Sequence, residues 1–260
     1  MPTAAPRELE LQSFGAVLFD LDGVLTATAR VHARAWKTLF DEFLARDADR
    51  KGLPFQPFEI EPDYRLYVDG KPRYDGIQGF LESRAISLPY GDPSDSPEME
   101  TVCGLGNRKN QLFNAQLREQ GVDVFDASVR FARDAIEAGI KVAVVSSSKN
   151  CAAVLERAGI LDLFPVRIDG VESERRHLAG KPAPDTFLEA ARDLGVPPSR
   201  AVVVEDALSG VQAGRAGGFG LVIGVDRNGE GQALLDNGAD IIVESLSEIS
   251  ITNRKGGIGP

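Results

Sequence analysis

Five short, mostly apolar runs punctuate the second half of this 260-residue chain: Ile140–Val145, Val166–Ile168, Ala201–Val204, Gly220–Val225 and Asp240–Val243. A strand with one wet face alternates polar and apolar residues, whereas a strand covered on both faces does not. Between these runs lie segments with apolar residues at helical spacing: Ala127–Ala138, Cys151–Arg157, Asp185–Leu194 and Ala207–Ala216. One further apolar run, Phe14–Phe19, stands near the start. Buried strands alternating with helices predict an α/β fold: a Rossmann-like, doubly wound parallel sheet with helices on both faces.

The middle of the chain has another texture. Val31, Ala35, Trp36, Leu39, Phe40 and Phe43 fall on one helical face. From Arg46 to about Asn110 there are many prolines, four tyrosines and no long β-branched run, and residues 88–97 read as a loop. Residues 29–120 are therefore expected to form a helical insertion, with 1–28 and 121–260 forming the core.

Ligands bind at the carboxyl ends of strands in open parallel sheets. Four polar clusters fall near such ends. Asp20 and Asp22 follow the first strand, and side chains two apart share a face. Ser146-Ser147-Ser148-Lys149-Asn150 follows the second, and Glu205-Asp206 follows Val202–Val204. Gly180-Lys181-Pro182 precedes a helix. Carboxylates to hold a cation, N–H and hydroxyl donors and one fixed lysine suit a phosphoryl group. The two acids at one strand end suggest phosphoryl transfer through a carboxylate nucleophile, with Mg²⁺ beside it.

These clusters, in this order, resemble the motifs of the haloacid dehalogenase superfamily: D-x-D-G-V, a hydrophobic run ending in Ser, K-P and E-D. The resemblance implies that Asp20 is the nucleophile and Asp22 the general acid/base. Ser146 would bind a phosphate oxygen, and Lys181 would bridge nucleophile and phosphate. Asp20, Glu205, Asp206 and the Asp22 carbonyl would hold Mg²⁺. The insertion lies where this superfamily places a helical cap. Asp22–Thr28 running into His32 and Trp36, the loop Asp69-Gly70-Lys71-Pro72-Arg73, and Arg108-Lys109-Asn110 resemble the β-phosphoglucomutase-like subgroup. By that likeness Thr28 sits at the cap hinge, and Arg73 and Lys109 reach the phosphate distal to Asp20. Gly70, Ser147, Ser148, Lys149 and Asn150 are candidate substrate contacts, as are His32 and Trp36, for which helix packing is the other reading. A mutase needs this second cationic site, and cap closure to keep water from the aspartyl phosphate.

The resemblance thus implies interconversion of β-glucose 1-phosphate and glucose 6-phosphate. The route would pass through phospho-Asp20 and β-glucose 1,6-bisphosphate. A sugar-phosphate phosphatase of the same fold, and a silent phosphosugar-binding protein, are the alternatives.

Bulk properties narrow the field further. A net charge of −10 argues against nonspecific nucleic-acid binding. No apolar run approaches a membrane span, and residues 1–11 lack the apolar core of a signal peptide. Two cysteines imply no disulfide framework, and two histidines disfavour a histidine triad or zinc site. Gly210, Gly214, Gly217 and Gly218 do not follow the first strand, so a dinucleotide fingerprint is not expected. A cytoplasmic protein is expected, either a monomer or a weak homodimer.

Overall fold

A computed structural model describes residues 7–9 and 13–251. Apart from the backbone of 7–9, the reading made of the 1–11 segment lies outside the described residues, as does an expectation from sequence that 253–260 is disordered. The chain divides into two compact units, Met1–Thr26 with Val124–Pro260, and Ala27–Asp123.

Strands β1 (Arg7–Leu9) and β2 (Ala16–Phe19) precede helices α1 (Ala29–Lys51), α2 (Arg73–Ser83) and α3 (Val102–Gln120). The chain continues through α4 (Asp126–Glu137), β3 (Lys141–Val145), α5 (Cys151–Arg157), β4 (Val166–Ile168), α6 (Gly170–Arg175) and α7 (Asp185–Leu194). Then come β5 (Ala201–Glu205), α8 (Leu208–Ala216), β6 (Leu221–Val225), α9 (Gly231–Asp236), β7 (Ile241–Val243) and β8 (Ile249–Ile251).

In the first unit six strands form an all-parallel sheet in the order β4-β3-β2-β5-β6-β7. Phe19 of β2 pairs with Val144 on one side and Val204 on the other. The chain steps from β2 to one side, through β3 and β4, then crosses to β5 on the other. That reversal opens a crevice at the carboxyl end of β2. Every residue of β2 and β5 is buried, as the apolar runs Ala16–Phe19 and Ala201–Val204 require, and β5 ends on the buried Glu205. Phe187, Ala190, Ala191 and Leu194 of α7 recur at i, i+3, i+4 and i+7. They join one core with Leu18, Ala143 and Val203. A separate parallel pair, β1 with β8, ties residues 7–9 to 249–251.

The second unit contains only helical elements among its described residues: α1, a π-helical segment Ile60–Val68, α2 and α3. Its core is aromatic. Phe40 packs against Trp36, Phe58 and Phe80, with ring centroids 5.4, 5.1 and 4.2 Å away. The stretch expected to be a loop at 88–97 has neither helix nor strand. It is ordered by polar contacts: the Thr101 hydroxyl donates to Asp95 at 2.6 Å, and Asn107 donates to the Asp95 carbonyl at 2.8 Å. Among the described residues no helix is long and apolar enough to cross a membrane.

Candidate active site

The crevice at the end of β2 is floored by charge. Asp20 continues the strand register, its N–H donating to the Val204 carbonyl at 2.9 Å. Its carboxylate is 2.5 Å from the Lys181 ammonium, which also donates to Glu205 at 2.6 Å and to the Val145 carbonyl at 3.2 Å. The lysine is 2% exposed and its ammonium stands 4.8 Å from the Phe187 ring centroid. Three strand ends and the loop before α7 thus meet at one buried cation.

Charge does not balance here. One carboxylate oxygen from each of Asp20, Glu205 and Asp206 lies within 4.8 Å of the others, and Lys181 bonds two of these acids. Burial alone would lower the Lys181 pKa, but Asp20 and Glu205 overcome it and hold the amine protonated, above its ordinary value. Burial pushes the Asp20 carboxyl well up; Lys181 opposes this, and Glu205 and Asp22 add to it. A further cation would relieve that repulsion. Three hard carboxylate donors in one cluster fit a small divalent metal. The Asp22 side chain is not one of the three.

Glu205 is the most constrained of the acids. It is fully buried, one oxygen takes the Lys181 ammonium, and the other accepts the N–H groups of Asp206 and Ala207 at 2.9 Å each. Gly210 makes room for it: a Cβ there would lie 1.8 Å from a Glu205 oxygen. Gly210→Ala is therefore expected to destabilise the protein by about 1–3 kcal/mol. It should also slow turnover more than about tenfold, because moving Glu205 unseats the lysine. Thermal melts and steady-state rates of the variant check both.

The turn after Asp20 is built around Gly23. Its φ of 92° belongs to the left-handed region, and a Cβ would stand 1.7 Å from an Asp206 oxygen. Its N–H donates to the Thr26 carbonyl at 2.7 Å, and the Thr26 hydroxyl to the Leu21 carbonyl at 3.2 Å. This closes the turn that carries Asp22, whose charge acts on Asp20.

Ser146 is 2% exposed, and its hydroxyl accepts the N–H of Ser148 at 3.1 Å. The Ser148 hydroxyl accepts the N–H of Asn150 at 3.2 Å, giving the 146–150 loop two successive hydroxyl-to-backbone turns. Gly170 passes so close that a Cβ would lie 2.8 Å from the Ser147 carbonyl. Lys149 pairs with Glu174 at 2.8 Å. Cys151, the first residue of α5, is buried and its thiol is pushed up by burial, so no reactive thiolate sits there. His177 is solvent-exposed, as expected.

The remaining candidates belong to the second unit. Lys109 is 4% exposed; its ammonium is 2.6 Å from His32 Nδ1, 4.7 Å from the Trp36 ring centroid and 5.1 Å from that of Phe113. A lysine donating to this nitrogen requires a neutral imidazole with its proton on Nε2. Thr28, at the start of α1, is buried, and its carbonyl accepts the His32 N–H at 2.9 Å. Trp36 is both a wall of this cluster and part of the aromatic core. Arg73 lies at the first turn of α2 and donates to Asn110 at 3.0 Å, and Gly70 turns the preceding loop with φ 67°. The sequence therefore located two cationic groups in this unit, but it missed the aromatic surroundings of Lys109 and the Arg73–Asn110 pair. It also missed Gly210 and Phe187, whose importance is spatial and leaves no local pattern.

A family model described as haloacid dehalogenase-like hydrolase matches residues 14–218. A β-phosphoglucomutase of Mycobacterium bovis is 52% identical over 252 residues, covering 95% of this chain and 96% of its own. Among solved structures, a β-phosphoglucomutase from Clostridium difficile superposes with a TM-score of 0.71 at 26% identity, covering 90% of this chain and 92% of that one. CbbY from Rhodobacter sphaeroides, solved in complex with phosphate, does so with 0.66 at 27%, covering 90% and 96%.

Proposed function

The chain belongs to the haloacid dehalogenase-like hydrolase family, and from that premise we propose a β-phosphoglucomutase, interconverting β-glucose 1-phosphate and glucose 6-phosphate. The near full-length similarity to the mycobacterial enzyme carries the substrate. The buried Asp20–Lys181–Glu205 cluster at the switch point of the sheet supports the chemistry.

In this reading an Asp20 oxygen attacks phosphorus, the bond to the sugar oxygen breaks, and the Asp22 carboxyl gives that oxygen its proton. The 6-hydroxyl of β-glucose 1-phosphate then attacks phospho-Asp20, returning its proton to Asp22 and giving the bisphosphate, whose 1-phosphate re-forms phospho-Asp20 as glucose 6-phosphate leaves. Lys181 keeps the nucleophile aimed and offsets charge on the phosphoryl oxygens. Ser146 and the N–H groups of the 146–150 loop take those oxygens, with Ser147, Ser148, Lys149 and Asn150 lining the loop. Asp20, Asp206, Glu205 and the Asp22 carbonyl would hold Mg²⁺, which when bound offsets repulsion between the carboxylate and the phosphate. Arg73 and Lys109 take the second phosphate of the bisphosphate. Gly70, Thr28, His32 and Trp36 shape the inserted unit, residues 27–123, for the sugar.

One assay tests the reading: β-glucose 1-phosphate with a bisphosphate primer, measuring glucose 6-phosphate against free phosphate. Glucose 6-phosphate should predominate; predominant free phosphate would make the enzyme a phosphatase. Chelation of Mg²⁺ should stop turnover reversibly, and full activity in chelator would refute the cation role of Asp206. Arg73→Ala should reduce mutase flux at least about tenfold, more than hydrolysis of a small phosphate ester, since one good charged hydrogen bond is worth about 1.5–3 kcal/mol. Equal losses would make Arg73 structural.

A further inference from the structure

Arg227 follows β6 and reaches back into the carboxylate crevice. Its Nε donates to the Gly23 carbonyl at 2.7 Å, and its Nη1 to the Glu244 carbonyl at 3.0 Å. Its guanidinium lies 3.7 Å from the Phe125 ring centroid. Phe125 in turn donates its N–H to the Leu25 carbonyl at 2.9 Å. One side chain therefore touches both segments at which the core chain leaves for and returns from the inserted residues, 21–26 through the Gly23 carbonyl and 124–125 through the Phe125 ring.

The arginine is itself held. Asp226 accepts the N–H groups of Asn228, Glu230 and Gly231 at 3.2, 2.8 and 2.9 Å, and its own N–H donates to the Val243 carbonyl at 2.8 Å. This fixes the loop that aims Arg227. Burial lowers the guanidinium pKa, while the Asp206 charge works the other way. At neutral pH the group stays a cation.

We propose that Arg227 is a positioning residue for the proton-transfer step, fixing the Asp22–Gly23 turn so that the Asp22 carboxyl meets the leaving sugar oxygen. This inference rests on the phosphoryl-transfer reading above. The gripped carbonyl belongs to the residue after Asp22, and the peptide it belongs to packs against Asp206 through Gly23. The grip adds an anchor from outside the turn at the residue next to Asp22, and a carboxyl displaced by about 1 Å can cost about 100-fold in rate.

The test compares two leaving groups in wild type, Arg227→Met and Arg227→Lys. β-Glucose 1-phosphate with bisphosphate primer releases an alkoxide-like oxygen that needs a proton; p-nitrophenyl phosphate, read as the burst of p-nitrophenolate that accompanies phosphorylation of Asp20, releases a phenolate that does not. Arg227→Met should lose about 10- to 100-fold in kcat on the sugar phosphate, with KM little changed, and less than about threefold on the aryl ester. Arg227→Lys, which keeps one donor, should recover part of the loss. Equal losses on both substrates, or no loss on either, would overturn the proposal. If thermal melting shows Arg227→Met to be unfolded, the same comparison on Arg227→Lys decides. A wild-type protein that turns over neither substrate would instead overturn the phosphoryl-transfer reading, and this inference with it.

Discussion

Asp20→Asn is expected to cut turnover at least about 10³-fold while leaving folding stability unchanged within about 1 kcal/mol, or raised. A carboxamide cannot attack phosphorus, so the loss falls on kcat. Stability should survive because the site already disfavours the charged form of Asp20. Burial and the neighbouring acids push its carboxyl up against the pull of Lys181, and asparagine resembles the neutral form in shape and charge. The Lys181–Glu205 pair is untouched by the change. Steady-state kinetics and urea unfolding of one preparation check both halves. Near-normal turnover would remove Asp20 as nucleophile, and a large loss of stability would contradict the charge argument.

Lys181→Met should have the opposite signature. The ammonium is the shared partner of two buried carboxylates, at 2.5 and 2.6 Å, and its side chain is fully buried. Removing it leaves Glu205, with no solvent exposure, facing Asp20 without compensation. Breaking a buried pair in this way costs about 3–5 kcal/mol. The loss should be read by denaturant unfolding in chelator, so that no metal ion substitutes for the ammonium. A variant as stable as wild type would mean that the acids take up protons at little cost. The two variants together separate roles that activity alone cannot: both are expected to be inactive, but only one to be unstable.

Much of this was legible in the sequence, for a physical reason. Strands buried on both faces must be apolar throughout, so Ala201–Val204 and Ile140–Val145 could be read directly, and the acids and serine at their ends stood out against them. The helix Cys151–Arg157 and the strand Val166–Ile168 were located to the residue. Other elements were not. Helices α6 and α9, of six residues each, bury little and show no periodicity. The π-helical Ile60–Val68 departs from the 3.6-residue repeat on which the reading relied. The β1–β8 pairing joins chain ends through backbone hydrogen bonds, which leave no residue pattern. At the site, residue types were readable and their division of labour was not. Glu205 was expected to assist at a metal, and its bonds to Lys181 and to the backbone of Asp206 and Ala207 left no trace in the sequence. Nothing around Arg227 in the sequence announced that it reaches back to Gly23.

The central position of β2 has a consequence for how the protein comes into being. Lys181 and Asp20 are separated by 161 residues, and β2 finds both its partners only after the inserted unit has been made. The contact order of the catalytic floor is therefore high, and such long-range parallel pairings form late and slowly. On the ribosome, the strand that carries the nucleophile has no partner until β3 has emerged, and its acids have no counter-charge until Lys181 does. Residues 27–123 have an aromatic core of their own and can gather before that. Competence for chemistry thus arrives as the closing event of maturation.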